Sequence, residues 1–153
     1  MPIQKPYDHT IDFVEGVILF KLAKVYLLSL AERNSLNMWT DEELRKGYIW
    51  LFTSLIAALF FFVKKHNGSL WSVMDYRALN GITVKNCYPI PGIANLIESL
   101  SKALIFTKID LRWGYNNICI NEGNKYKTAF ITRQGLFEAT IMYFGFSNAP
   151  ATF

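Results

Sequence analysis

Cysteine, histidine and proline are scarce in this chain: two Cys, two His and five Pro. Cys87 and Cys119 lie far apart, no C-x-x-C pair occurs and the histidines do not cluster. A zinc site is therefore not expected, and nothing demands an oxidising compartment. The G-x-x-x-x-G-K-[ST] loop of nucleotide hydrolases is absent. Charged residues make up only 18% of the sequence, with a basic excess of +4. That balance suits a phosphate-bearing partner but is shared by many ordinary soluble proteins. The start, M-P-I-Q-K-P-Y-D-H, lacks the apolar run of a secretory signal. The expected location is intracellular.

What is abundant is apolar. Hydrophobic residues reach 52%, including 12 Phe, 8 Tyr and 4 Trp. A chain of this length and composition is expected to fold as about one domain with a moderate core. From Gly47 to Val63 (GYIWLFTSLIAALFFFV) no charge interrupts the run, and basic pairs flank it. Its length reaches the lower limit for a membrane span, whereas its Phe, Ile and Thr content favours buried strands. Both readings stand at this point.

Ser29-Leu-Ala-Glu32 is a capping-box pattern, and Arg45-Lys46-Gly47 is a helix ending. They predict a helix from Leu30 to Lys46 with Leu30, Leu36, Trp39 and Leu44 as its apolar set. Phe60–Val63 and Leu70–Met74 predict a hairpin around Lys64-Lys65-His66-Asn67-Gly68-Ser69, with Asn-Gly as a turn needing positive φ at both residues. Lysines at such a tip are either simply solvated or a basic finger over phosphates. Pro89 and Pro91 precede a short helix, Ile93 to Ser101. Ala103–Ile109 predicts a strand that delivers Asp110. Further strands are expected at Ile118–Ile120, Lys127–Thr132 and Leu136–Tyr143, joined by turns at 122–124 and 133–135. The fold class is α+β.

Asp110 alone is ambiguous. An aspartate after an apolar strand can cap the next turn, or it can hold Mg²⁺, which prefers hard oxygen ligands. Its surroundings are more specific. Phe106–Tyr115 reads F-T-K-I-D-L-R-W-G-Y. Lys127-Thr128-Ala129-Phe130 and Phe144-Gly-Phe-Ser-Asn-Ala-Pro-Ala-Thr-Phe153 follow it, and Val73-Met-Asp-Tyr-Arg-Ala-Leu-Asn80, Tyr88-Pro-Ile-Pro91 and Glu43–Ile49 precede it. In that order and spacing, from about His9 to Phe153, the blocks resemble the reverse transcriptase of Gypsy-type long-terminal-repeat retrotransposons.

The resemblance implies a partial right-hand polymerase fold with a basic hairpin. Residues 1–28 would be an extended connection, 29–102 the fingers and 103–153 the start of the palm. It implies RNA-directed DNA synthesis by two Mg²⁺ ions about 3.5–4 Å apart, acting on an RNA or DNA template–primer and a deoxynucleoside triphosphate. Asp110 and the Leu111 carbonyl would hold metal, and Lys64 or Lys65 would face the triphosphate. Tyr115 would lie under the sugar and reject a 2′-hydroxyl, while Phe144 and Gly145 would line the nucleotide pocket. Asp75, Arg77, Asn148 and Pro150 would support template and primer, although a mutual Asp75–Arg77 ion pair is the plainer reading. The family needs three carboxylates. After Asp110 only Glu122 and Glu138 are acidic, and neither belongs to a paired motif. The isolated chain is thus expected not to polymerise, with the rest of the palm, the thumb and an RNase H domain as missing partners.

Several positions depart from the family pattern. Trp71 stands where an arginine would reach phosphates, and an indole cannot supply a guanidinium's charge and forked donors. Trp50, Leu51, Phe52, Leu55 and Leu59 replace an expected Arg, Pro, Ser, Pro and Pro. Asn67 and Asn95 replace aspartates, and Cys87 and Gly92 replace arginines. All but Gly92 fit single C-to-T changes on one DNA strand or the other. The hypothesis is a decayed element copy, and a random spectrum of codon changes against intact relatives would refute it. Loss of those prolines and that arginine also explains the membrane-like run, so a membrane partner is not expected.

Overall fold

The computed structural model describes residues 2–17, 25–54, 56–89, 92–101 and 103–153. Leu55 and Pro91 lie outside them, as does part of the 1–28 connection. Helix α1 runs from Leu30 to Lys46 with the anticipated capping box, Ser29 N–H donating to Glu32 Oε2 at 2.8 Å. Gly47 ends it at φ 71°, where its N–H and that of Tyr48 close on Leu44 and Glu43 carbonyls at 3.0 Å. The buried side of α1 is Leu36, Thr40 and Glu43, with Trp39 half-buried. Leu30 and Leu44 are exposed. At 100° per residue Leu44 lies roughly 80° from Leu36, whereas Glu43 lies almost in line with it. A carboxylate therefore faces inward, and the buried Tyr143 hydroxyl donates to it.

The five-stranded sheet of the described residues has the order β1-β5-β4-β2-β3. Its strands are β1 (Ile49–Leu51), β2 (Ala58–Lys64), β3 (Leu70–Asp75), β4 (Phe130–Thr132) and β5 (Gly135–Ala139). Only β2 and β4 run parallel. Alternation in β2 buries Ala58 and Phe60. Trp39 of α1 packs on Phe60 (ring centroids 5.0 Å) and Phe130 (5.9 Å), closing the helix onto the sheet. An N-terminal strap crosses the opposite end, where the His9 N–H donates to the Cys119 carbonyl at 2.9 Å. The hairpin formed as expected, but its turn is different. Gly68 has φ 83° and Asn67 does not have positive φ. The Gly68 N–H returns to the Lys65 carbonyl at 2.9 Å, and Lys65 N–H donates to Ser69 at 2.8 Å. This is a three-residue connection whose last residue, a glycine, is left-handed.

The run 47–63 is not a helix. Its described residues contribute β1 and β2, which pair with other strands and not with each other. Among the described residues no helix is long and apolar enough to cross a membrane. Two shorter helices follow, α2 (Arg77–Ile82) and α3 (Ile93–Leu100). Residues 103–109 do not form the expected strand: Leu104, Ile105, Phe106 and Ile109 are exposed, and no described strand pairs with them. An extended segment without a neighbour leaves its N–H and C=O groups to water, so nothing fixes it as a strand. Ile118–Ile120 makes single bridges at Cys119 and Ile120, and residues 122–128 form a 3₁₀ helix before β4. The last expected strand stops at Ala139. Helix α4 spans Ala149–Thr152.

Candidate nucleic-acid interface

Several of the residues singled out above fall into two groups: Asp75, Arg77 and Gly145 line one cavity, and Lys65, Trp71, Phe144 and Tyr115 pack in a row. Asp75 ends β3 and Arg77 begins α2. Their side chains form a fork, Arg77 Nε to Asp75 Oδ1 at 2.8 Å and Nη2 to Oδ2 at 2.6 Å. The guanidinium holds the Asp75 carboxyl below the usual carboxylate range. The plainer reading of this pair is what the geometry shows. Nevertheless the Arg77 side chain stays 87% exposed, and an exposed ion pair contributes little to stability. Both residues line a cavity of about 590 Å³ shared with Tyr26, Phe61, Asn80 and Gly145.

Asn80 was quoted within a motif but given no role, and it proves to be the clasp at this cavity. Its Nδ2 donates to the Gly145 carbonyl at 2.6 Å, and its Oδ1 accepts from the Ser147 N–H at 2.9 Å. An amide can both donate and accept, which lets this one side chain make both bonds. Gly145 itself has φ 109°, a backbone conformation that strains any L side chain, and it sits in contact distance of the Tyr76 ring. Tyr76 is stacked on Phe146 at 4.3 Å and donates its hydroxyl to the Thr128 carbonyl. The Phe144-Gly145 loop is thereby fixed against residues 74–80.

Tyr115 opens a 3₁₀ turn, Tyr115–Asn117, and packs between Phe144 (4.8 Å) and Phe153 (5.3 Å). The structure thus joins two distant motifs at Tyr115 and Phe144. Phe144 also meets Trp71 edge to face at 6.1 Å. Lys65 Nζ lies 3.8 Å from the centre of the Trp71 ring, while Lys64 is exposed at the end of β2. Asn148 precedes α4, and its amide is buried and engaged: Nδ2 donates to the Val84 carbonyl at 2.8 Å and Oδ1 accepts from Asn86 N–H at 3.0 Å. Pro150 is exposed in the first turn of α4.

Asp110 is exposed in irregular chain, with Leu111 after it equally exposed. Between Asp110 and Tyr115 the backbone turns sharply at Trp113, whose φ of 54° is strained for a bulky side chain. Among the described residues no three His, Cys, Asp or Glu side chains gather to hold a metal ion. The donor set is one carboxylate, which does not fit a two-metal centre.

Residues 63–153 match the family model described as reverse transcriptase (RNA-dependent DNA polymerase). The chain belongs to the reverse transcriptase family. Among its relatives, an RNA-directed DNA polymerase homolog of Oenothera berteroana is 49% identical over 85 residues, 56% of this chain and 60% of that protein. The transposon Tf2-3 polyprotein of Schizosaccharomyces pombe is 35% identical over 128 residues, 84% of this chain and 10% of the polyprotein. The Gypsy-type resemblance therefore holds, and the chain spans only part of each relative. Prototype foamy virus protease–reverse transcriptase shares its fold at a TM-score of 0.76 with 22% identity, covering 93% of this chain and 19% of that one. A foamy viral protease–reverse transcriptase in complex with an RNA/DNA hybrid matches at 0.74 and 22%, covering 91% and 19%. The partial polymerase fold and the reverse transcriptase assignment are thus established for this chain.

Proposed function

We propose that these residues are the fingers, 29–102, and the start of the palm, 103–153, of a retrotransposon RNA-directed DNA polymerase. The face bearing Arg77, Tyr115 and Phe144 would then meet template–primer and an incoming deoxynucleotide. The observation that carries this reading is the packing of Tyr115 on Phe144 at 4.8 Å, with Asn80 holding Gly145 beside the Asp75–Arg77 fork. What supports the reading is that Gly145, next in the chain to Phe144, lines a cavity with the exposed Arg77 guanidinium.

In this reading Arg77 supports template and primer, and Lys64 or Lys65 faces the incoming triphosphate. The Tyr115 ring, braced on two phenylalanines, is the wall against a 2′-hydroxyl. Asn148 acts through the fold, tying residues 84–86 to the start of α4, and Pro150 faces template or primer. Mg²⁺ would neutralise charge at the transferring phosphoryl group in a complete domain. Asp110 and the Leu111 carbonyl would contribute to its site, but the residues present do not assemble one, and no step is derived through it. The compartment consistent with this role is intracellular. We predict that the 153-residue chain shows no Mg²⁺-dependent primer extension. Nucleotide incorporation abolished by Asp110→Ala would overturn that part of the reading.

A further inference from the structure

Trp71 is the one large departure from the family pattern that lies on this face. It sits opposite Val63 in the β2–β3 ladder and keeps 38% of its surface exposed. Next along the same surface is Phe144, 53% exposed, and after it Tyr115 and Phe153. The aromatic strip reaches the cavity through Gly145, which adjoins Phe144 and lines the cavity with Arg77. Lys65 stands over the indole, and among the described residues neither Lys64 nor Lys65 pairs with a carboxylate. The surface is therefore aromatic along its length, with the Lys65 ammonium against one face of the indole.

A guanidinium at position 71 would read phosphate through forked donors. An indole offers no charge, but every nucleobase has a π-face to set against it. A free nucleoside triphosphate concentrates several negative charges on a single base, whereas an unpaired strand carries about one charge per base. Replacing the guanidinium by an indole thus weakens the first ligand and favours the second. We propose that Trp71, with Phe144 and Lys65, forms a base-stacking clamp for an unpaired nucleic-acid strand. The clamp works without metal and discriminates against free triphosphate. It rests on the reading of this face as the nucleic-acid side, and the test separates the two.

The test is anisotropy of a short fluorescein-labelled oligothymidylate titrated with the 153-residue chain, with unlabelled dTTP and a blunt duplex as competitors. Wild type is expected to bind the oligothymidylate and to be displaced poorly by dTTP. Trp71→Ala should weaken binding at least about fivefold, the loss of one base stack, with the salt slope unchanged because an indole neutralises no phosphate. Trp71→Phe should retain most of the affinity, and Trp71→Arg should raise competition by dTTP. If Trp71→Ala binds as wild type does while Lys64→Ala/Lys65→Ala binds more weakly, the clamp is wrong and the nucleic-acid face stands. Efficient competition by dTTP against wild type would also refute the clamp. If wild type binds neither strand nor duplex, both readings fall.

Discussion

Trp50 shows at a single residue how an indole can leave a buried carboxylate half satisfied. It lies directly across the β1–β5 ladder from Glu138, which is 3% exposed. The indole N–H donates to Glu138 Oε1, but Oε2 has no partner. Burial pushes the Glu138 carboxyl above its usual range. Lys125, the nearest cation, is instead paired with Glu122 at 2.6 Å and lies over the Trp50 ring at 4.5 Å. An arginine at position 50, where the family pattern expects one, would place its fork opposite that carboxylate. Leaving a buried acceptor unmade costs about 1–3 kcal/mol. Trp50→Arg should therefore raise stability, by about 1 kcal/mol once the lost indole packing is set against it, read as a higher urea midpoint. Because the folded-state pKa of Glu138 is raised, wild type should lose stability as pH rises above the ordinary carboxylate value, and Trp50→Arg should not. A lower midpoint in the variant would show that the indole is the better partner. Trp50 was legible as a departure, but the orphaned carboxylate was not, because register is a property of two strands.

At the scale of elements, legibility followed the range of the interactions. The capped helix α1 and the turn at 133–135 depend on residues within a few positions, and they formed where expected. The segment 103–109 has the apolar content of a strand, but strand formation needs a neighbour that no local pattern supplies. The N-terminal strap was read as an extended connection, and its interest lies in what it buries. The His9 ring is fully covered, bonded through Nδ1 to Thr152 Oγ1 at 2.8 Å and set against Phe146 at 5.5 Å. Burial lowers its pKa to about 4. The unfolded chain then takes up a proton near pH 6.5 that the folded one refuses, so stability present above that value is lost as pH falls toward 4. The full loss is about 3 kcal/mol. His9→Gln should remove that dependence: its midpoint difference from wild type should change between pH 7 and pH 4, measured by urea unfolding. A constant difference would mean that the strap already opens around His9.

For the molecule as a whole, the candidate site is half legible from sequence. Motif order named the family and the residues Asp75, Arg77, Tyr115, Phe144 and Gly145, of which Asp75, Arg77 and Gly145 share a cavity and Tyr115 packs on Phe144. The clasp by Asn80 and the internal use of the Asn148 amide emerged only in three dimensions, since both bond to backbone more than 60 residues away. The exposed apolar residues of α3 and 103–111 lie apart from the five-stranded sheet. The membrane-like run contributes β1 and β2, and among the described residues no helix is long and apolar enough to span a membrane. In the reading proposed above these residues are a fingers region with a nucleic-acid face, while among the described residues no three His, Cys, Asp or Glu side chains gather to hold a metal ion.

The most direct test of that claim is equilibrium binding of the 153-residue chain to a labelled template–primer with a single-stranded template overhang, compared with its blunt counterpart. The account predicts salt-dependent binding that prefers the overhang. Arg77→Ala should weaken it and reduce the slope of log affinity against log salt by about 0.7–0.9, the loss of one phosphate contact. Binding that ignores the overhang and is unchanged in Arg77→Ala would contradict the account.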